Sequence, residues 1–358
     1  MRRRAWVALA LAALAVGAAS LGSVRAADLG YLGQSVSGHL ALLRAARPVP
    51  EWLADEKTPA ALRERLHLSQ QMRDFAVAEL ALPDSASYRR YADLQRSAAV
   101  WNVVAAPELS LELQTWCFPV VGCVGYRGYF DRADADAFGA GLRAQDLEVD
   151  VYGVPAYSTL GRLPGDFFAD PLLNTFIDWP EVELARLIFH ELAHQVVYAS
   201  GDTTFNESFA TAVERIGSAR WIAERASPEA AAAYEKLVQR RQDFRALTLR
   251  TRDALDALYR SPASDADKRA GKALLMRAMR DEYAALRDGA WQGYAGYDGW
   301  MARANNASLG VLAAYNELVP NFERLYEREG RDLVRFYAAV KKLAGLPKDE
   351  RRATLERL

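Results

Sequence analysis

His190 and His194 stand four residues apart in the run His190-Glu191-Leu192-Ala193-His194, with a glutamate beside the first. On an α-helix, residues at that spacing share a face about 6 Å apart along the axis, so both imidazoles can grip one ion. Glu191 is then turned about 100° from His190. It can reach a water on that ion but is poorly placed to replace either histidine, which suits a general base. Zn2+ is the metal such donors take, and it needs a third protein ligand plus an open position for water. The whole chain holds only 4 histidines, so two at this spacing around a glutamate are poorly explained as accidents of a surface helix.

The elements that must position these groups follow from the neighbouring pattern. A helix can start near Asp178, with Pro180 and Glu181 in its first turn, and stop at Ser200-Gly201. A second begins almost at once, with Phe205, Phe209, Val213 and Ile216 on one face and Glu207 and Glu214 on another. The two form a hairpin that brings Glu207 to its mouth as the expected third ligand. Glu214 is a candidate partner for a ligand histidine's other nitrogen. A blander reading makes Glu207 part of a capping box begun by Thr204 and Glu214 a solvated position. His39 and His67 lie far upstream with no partner at ligand spacing.

The segment HELAHQVVYASGDTTFNESFA, residues 190–210, resembles the gluzincin type of zinc aminopeptidase, in which HExxH is followed on the next helix by Asn-Glu-x-x-Ala. Asn206 to Ala210 matches that second part. Twelve residues separate His194 from Glu207, fewer than in well-known members, so the connecting loop is trimmed.

Arg2, Arg3 and Arg4 precede an uncharged stretch from Ala5 to Val24, and Val24-Arg25-Ala26 offers small residues where signal peptidase reads. Residues 1–26 are therefore expected to be a signal peptide and 27–358 a single unit in the periplasm. An uncleaved inner-membrane anchor is the alternative. The full chain carries a net charge of −1, and removing 1–26 takes away four arginines and no acid. A mildly acidic surface argues against nucleic acid as a partner.

Residues 27–110 are read as a helical N-terminal part, with Pro48, Pro50 and Pro59 as breaks. His39 and His67 fall here as ordinary packed or surface residues. Residues 111–225 carry the sheet and the metal-site helices. Cys117 and Cys123 bracket a proline- and glycine-punctuated turn, for which a disulfide is the natural reading in an exported protein and thiol coordination the alternative. YRGYF (126–130) and LEVDVYGVPAYSTL (147–160) alternate as strands do. Tyr157, Ser158 and Thr159, with Gly161 beside them, could hold a peptide by main-chain bonds along an edge strand. Residues 226–358 form a helical C-terminal part broken by the loop 288–300. Its basic end, including Lys341, Lys342, Arg351 and Arg352, reads as a solvated helix face.

The motifs WCFPVVGC, YRGYF, AYSTLG, ADPLLNTF and NNASLGVLAAY, taken with the HExxH run, resemble the predicted zinc aminopeptidases of Gram-negative bacteria, many of them lipoproteins. This chain has no lipobox cysteine near its signal. The resemblance implies an α+β, mostly helical fold: a zincin-like core with a small mixed sheet beside the HExxH helix and helices around it. It implies a peptide substrate and Zn2+ held by His190, His194 and Glu207, with Glu191 as base. A tyrosine is expected to steady the oxyanion, Tyr315 ahead of Tyr297 and Tyr157. Asp170, Asp178 and Glu148 are candidates to pair with a substrate's α-ammonium. A zinc endopeptidase, or a non-catalytic envelope binding protein stapled by zinc, would use the same donors.

Overall fold

The computed structural model describes residues 26–118, 122–158, 165–312 and 318–358. The chain divides into two units, 1–41 and 42–358. Helix α1 (Ala26–Ala45) ends in the second unit, where Leu42 and Leu43 are buried. After the short strand β1 (Arg47–Pro48) come α2 (Val49–Ala54) and α3 (Ala60–Ala78). Pro48 and Pro59 precede those helices, where a fixed φ suits helix entry and no hydrogen bond is lost.

From residue 82 to 107 the expected helical pattern gives way. Strands β2 (Arg90–Ala92) and β3 (Val100–Pro107) occupy part of this stretch. Val100, Trp101, Val103 and Val104 are β-branched or aromatic and favour a pleated backbone. Because β3 is buried almost continuously, its sequence lacks the two-residue alternation that advertises a half-exposed strand.

A hairpin of β4 (Trp116–Phe118) and β5 (Gly122–Val124) pairs Cys117 opposite Cys123, and the two form a disulfide. Next come β6 (Arg127–Tyr129), α4 (Arg132–Arg143) and β7 (Leu147–Val154). Strand β3 is the centre of an antiparallel sheet ordered β6-β3-β7. A second sheet, β1-β2-β8, uses the two-residue strand β8 (Leu172–Leu173).

Two helices then form the hairpin: α5 (Glu181–Ala193) and α6 (Thr203–Glu224). Next are the long pair α7 (Pro228–Arg260) and α8 (Asp265–Asp288), then α9 (Asp298–Arg303), α10 (Asn306–Val311), α11 (Val319–Arg328), α12 (Leu333–Ala344) and α13 (Lys348–Glu356). The architecture is α+β and mostly helical. The antiparallel sheet packs chiefly against α4 and α10. The mixed sheet β1-β2-β8 shares the hairpin's core through Tyr91, Ala92, Leu172 and Leu173, and β3 adds Val100, whereas the expected strands of YRGYF and LEVDVYG lie in the antiparallel sheet.

That core joins Met72, Phe75, Leu172, Ile188, Phe189, Phe209, Phe322 and Phe336. Both helices of the hairpin are therefore held by apolar surface on several sides. A separate cluster, including Phe244, Met279, Tyr283 and Trp291, knits α7 to α8 and the loop 288–300. That loop packs inward, with the Trp291 indole donating to Asp243 at 3.0 Å.

Candidate metal centre

Helix α5 ends earlier than its apolar pattern suggests. It stops at Ala193 and places His194 at the C-cap, still with helical dihedrals (φ −60°, ψ −22°). The cause lies on the neighbouring helix. The Asn206 amide accepts from the Ala199 N–H at 2.7 Å and donates to the Ala199 carbonyl at 2.8 Å, drawing 195–202 away from the helix axis. Asp202 caps α6 by accepting from the Phe205 N–H. Thr204 is thus not the cap, and Glu207 has no capping duty.

His190, His194 and Glu207 converge. Their donor atoms all lie within 4.8 Å of one another. His190 Nε2 is 3.3 Å from one Glu207 oxygen and His194 Nε2 3.7 Å from the other. Two nitrogens and a carboxylate of this kind fit Zn2+ with a position left over. The His190 Nδ1 is engaged from behind by Glu214 Oε2 at 3.0 Å, which turns its Nε2 toward the site. Glu214 is in turn ion-paired with Arg186, and Arg186 with Glu183. The His194 Nδ1 has no hydrogen-bond partner among the described residues.

Electrostatics follow from this burial. Without a metal, desolvation opposes protonation of His190, but hydrogen bonds to Glu207 and Glu214 prevail and lift its pKa to about 10. Burial, reinforced by the charge of His190, takes His194 down to about 4. Glu207 is held below the usual carboxylate range: desolvation pushes it upward, and the His190 bond outweighs that push. Burial raises Glu191 to about 7 against the pull of His190 and a hydrogen bond to Ser158.

Ser158 belongs to a cluster that spacing gave no hint of. Its Oγ lies 2.8 Å from Asp170 Oδ2 and also hydrogen-bonds Glu191 and the Tyr88 phenol. Tyr88 is buried and sits at φ +62°, in the left-handed region that a bulky residue rarely adopts. It is held there by its N–H donating to the Asp170 carbonyl at 2.7 Å and its carbonyl accepting from Gln70 at 3.0 Å. The fully buried Arg73 braces the same loop through the Ser85 and Ser87 carbonyls. No motif surrounds Tyr88. The single sequence signal was the nearby Asp170, named as an ammonium acceptor.

The other expected residues fall as follows. Tyr157 and Ser158 lie past the end of β7 and in no described strand. Proline at 155 accounts for this, since it lacks the N–H a ladder needs. The Tyr157 ring packs on Phe130. Thr159, Gly161 and Tyr315 lie outside the described residues. Tyr297 stacks on Phe244, with ring centroids 4.0 Å apart, and lines a cleft beside His190. Asp170 is only 2% exposed, Glu148 is taken by Lys272 and the Asn306 N–H, and Asp178 is exposed.

A helix hairpin carrying two histidines and a glutamate around one point, with a second glutamate next to the first histidine, defines a site able to hold a divalent cation beside a carboxylate base. Residues 30–355 match a family described as "Putative aminopeptidase", and the chain belongs to that family. Membership implies a peptidase, with peptides as substrates. Comparison with curated proteins gives no match, and comparison with solved structures gives none.

Proposed function

We propose that this protein is a zinc-dependent aminopeptidase of the cell envelope, with a zincin-like core. The observation that supports it best is the convergence of His190, His194 and Glu207 on one point, with Glu191 following the first ligand in sequence. Zinc held there would act as a Lewis acid, making water nucleophilic near neutral pH and polarising the scissile carbonyl.

The chain's own residues do the rest. Glu191 takes the proton of the attacking water on a carboxylate oxygen and passes it to the amine nitrogen as the C–N bond breaks. Ser158, held by Asp170, donates to or accepts from Glu191 and so fixes where that carboxylate points. Glu214 keeps the His190 Nε2 facing inward. Export is supported by the basic and apolar start of the chain and by the Cys117–Cys123 bridge, which belongs to an oxidising compartment. No described helix is long and apolar enough to cross a membrane.

Replacing Glu191 with Gln tests the role of the base. Zinc content should stay stoichiometric by elemental analysis while kcat falls about 10²–10⁴-fold. Glu207→Ala should lose the metal instead. Full activity in zinc-loaded Glu191→Gln protein would overturn the reading. An endopeptidase is the second reading: of the three candidate ammonium acceptors Asp170 is buried and Glu148 engaged, and Asp178 alone is exposed. Cleavage of an N-acetylated peptide as fast as its free-amine twin would select it.

A further inference from the structure

A cleft of about 730 Å³ adjoins the metal centre, with His190 and Glu207 in its wall and α7 across from the hairpin. Four guanidinium groups line it, those of Arg186, Arg215, Arg241 and Arg245, against two carboxylates, Glu207 and Glu214.

Both carboxylates are committed. Glu207 faces the two histidines, and Glu214 is held between His190 and Arg186. Three of the arginines are committed too: Arg186 to Glu183 and Glu214, Arg241 to Glu183 at 2.7 Å, and Arg215 to Glu323 at 3.2 Å. Arg245 is different. It stands one helical turn beyond Arg241, is exposed, and has no acidic partner among the described residues. Beside it the stacked rings of Phe244 and Tyr297 give the cleft an apolar wall.

A planar guanidinium at the edge of an apolar cleft recognises carboxylate by paired N–H donors, and one whose charge no neighbouring acid neutralises is free to do so. We infer that this cleft binds a carboxylate of the peptide substrate and that Arg245 is the residue that selects for it. The assignment rests on the peptidase reading for its turnover arm. The carboxylate can come from an acidic side chain or from a peptide's own C-terminus, and the chemistry of recognition is the same.

The test uses three peptides of equal length with identical apolar residues. One carries glutamine and an amidated C-terminus, one glutamate and an amidated C-terminus, and one glutamine and a free C-terminus. Affinities are measured by calorimetry on zinc-loaded Glu191→Gln protein, and KM and kcat on the wild type. At least one acidic peptide should bind roughly tenfold tighter than the neutral one, the scale of a charge-assisted hydrogen bond. Which acidic peptide gains identifies the source of the carboxylate. Arg245→Gln should erase the gain, through KM rather than kcat, and leave the neutral peptide's affinity unchanged. Arg245→Glu should reverse the preference.

Equal binding of all three peptides by Arg245-containing protein would overturn the inference. So would an equal loss for acidic and neutral peptides in Arg245→Gln. If the wild type hydrolyses none of them while the acidic preference persists, the peptidase reading fails and the carboxylate site stands.

Discussion

In the proposed reaction Glu191 is the base, and its surroundings are built from residues distant in sequence. Tyr88, Ser158 and Asp170 meet around it with one hydroxyl hydrogen on Ser158 to distribute. A tyrosine forced to a positive φ is costly to hold, about 1–3 kcal/mol, and such outliers gather at functional sites. The expected consequence is a positioning role. Ser158→Ala should lower kcat roughly ten- to hundredfold, the loss of a hydrogen bond to a charged group, and Tyr88→Phe, which loses a bond to the neutral Ser158 hydroxyl, up to about tenfold. Zinc content and KM should stay near wild type. A fall in zinc content to match would show that the cluster only holds the fold. At this scale the sequence named Glu191, Ser158 and Asp170. Tyr88 was invisible, because a lone tyrosine between Ser87 and Arg89 carries no spacing signal.

The hairpin of α5 and α6 is the element that makes the ligands meet, and it depends on close approach. Gly217 on α6 faces Phe189 on α5 and Leu80. A β-carbon there would lie 2.8 Å from Phe189 Cδ2 and 2.7 Å from Leu80 Cδ1. Phe189 immediately precedes His190, so any push on its ring is felt where His190, His194 and Glu207 converge. Gly217→Ala should destabilise the fold by about 1–3 kcal/mol, the usual result of overpacking a tight core. The measurement is thermal or urea unfolding, accompanied by weaker zinc retention under a chelator. An unchanged midpoint would mean the two helices can separate freely. Apolar periodicity disclosed both helices. The early end of α5 was not legible, because it is imposed by Asn206 from the next helix.

Across the whole molecule, the C-terminal helices reach back to the hairpin loop. Arg351 on α13 is buried, not solvated as its basic neighbours suggest, and its Nη1 lies 2.6 Å from Asp202, the cap of α6. The same guanidinium donates to the Leu343, Ala344 and Leu346 carbonyls at the end of α12. Both charged side chains are almost fully buried. Arg351→Ala should therefore cost about 3–5 kcal/mol by stranding the Asp202 carboxylate. Urea unfolding of the variant measures this. Restoration of stability by adding Asp202→Asn would identify the unpaired charge as the cause, whereas no rescue would point to the lost carbonyl contacts instead.

The sequence alone named the three side chains that converge, His190, His194 and Glu207, because HExxH and the glutamate on the following helix are local patterns tied to helical periodicity. It also pointed to the disulfide and to the helical character of the C-terminal part, where composition and turns act within a few residues. Tertiary structure decided the rest. It alone made β3 a central strand, since burial on both faces removes the alternation by which strands are recognised. It brought Tyr88 and Asp170 to Glu191 and left Arg245 without an acidic partner among the described residues, across the cleft from His190 and Glu207. Those relations join segments tens of residues apart, and a side chain's partner across such a distance is set by packing, which leaves no periodic mark in the chain.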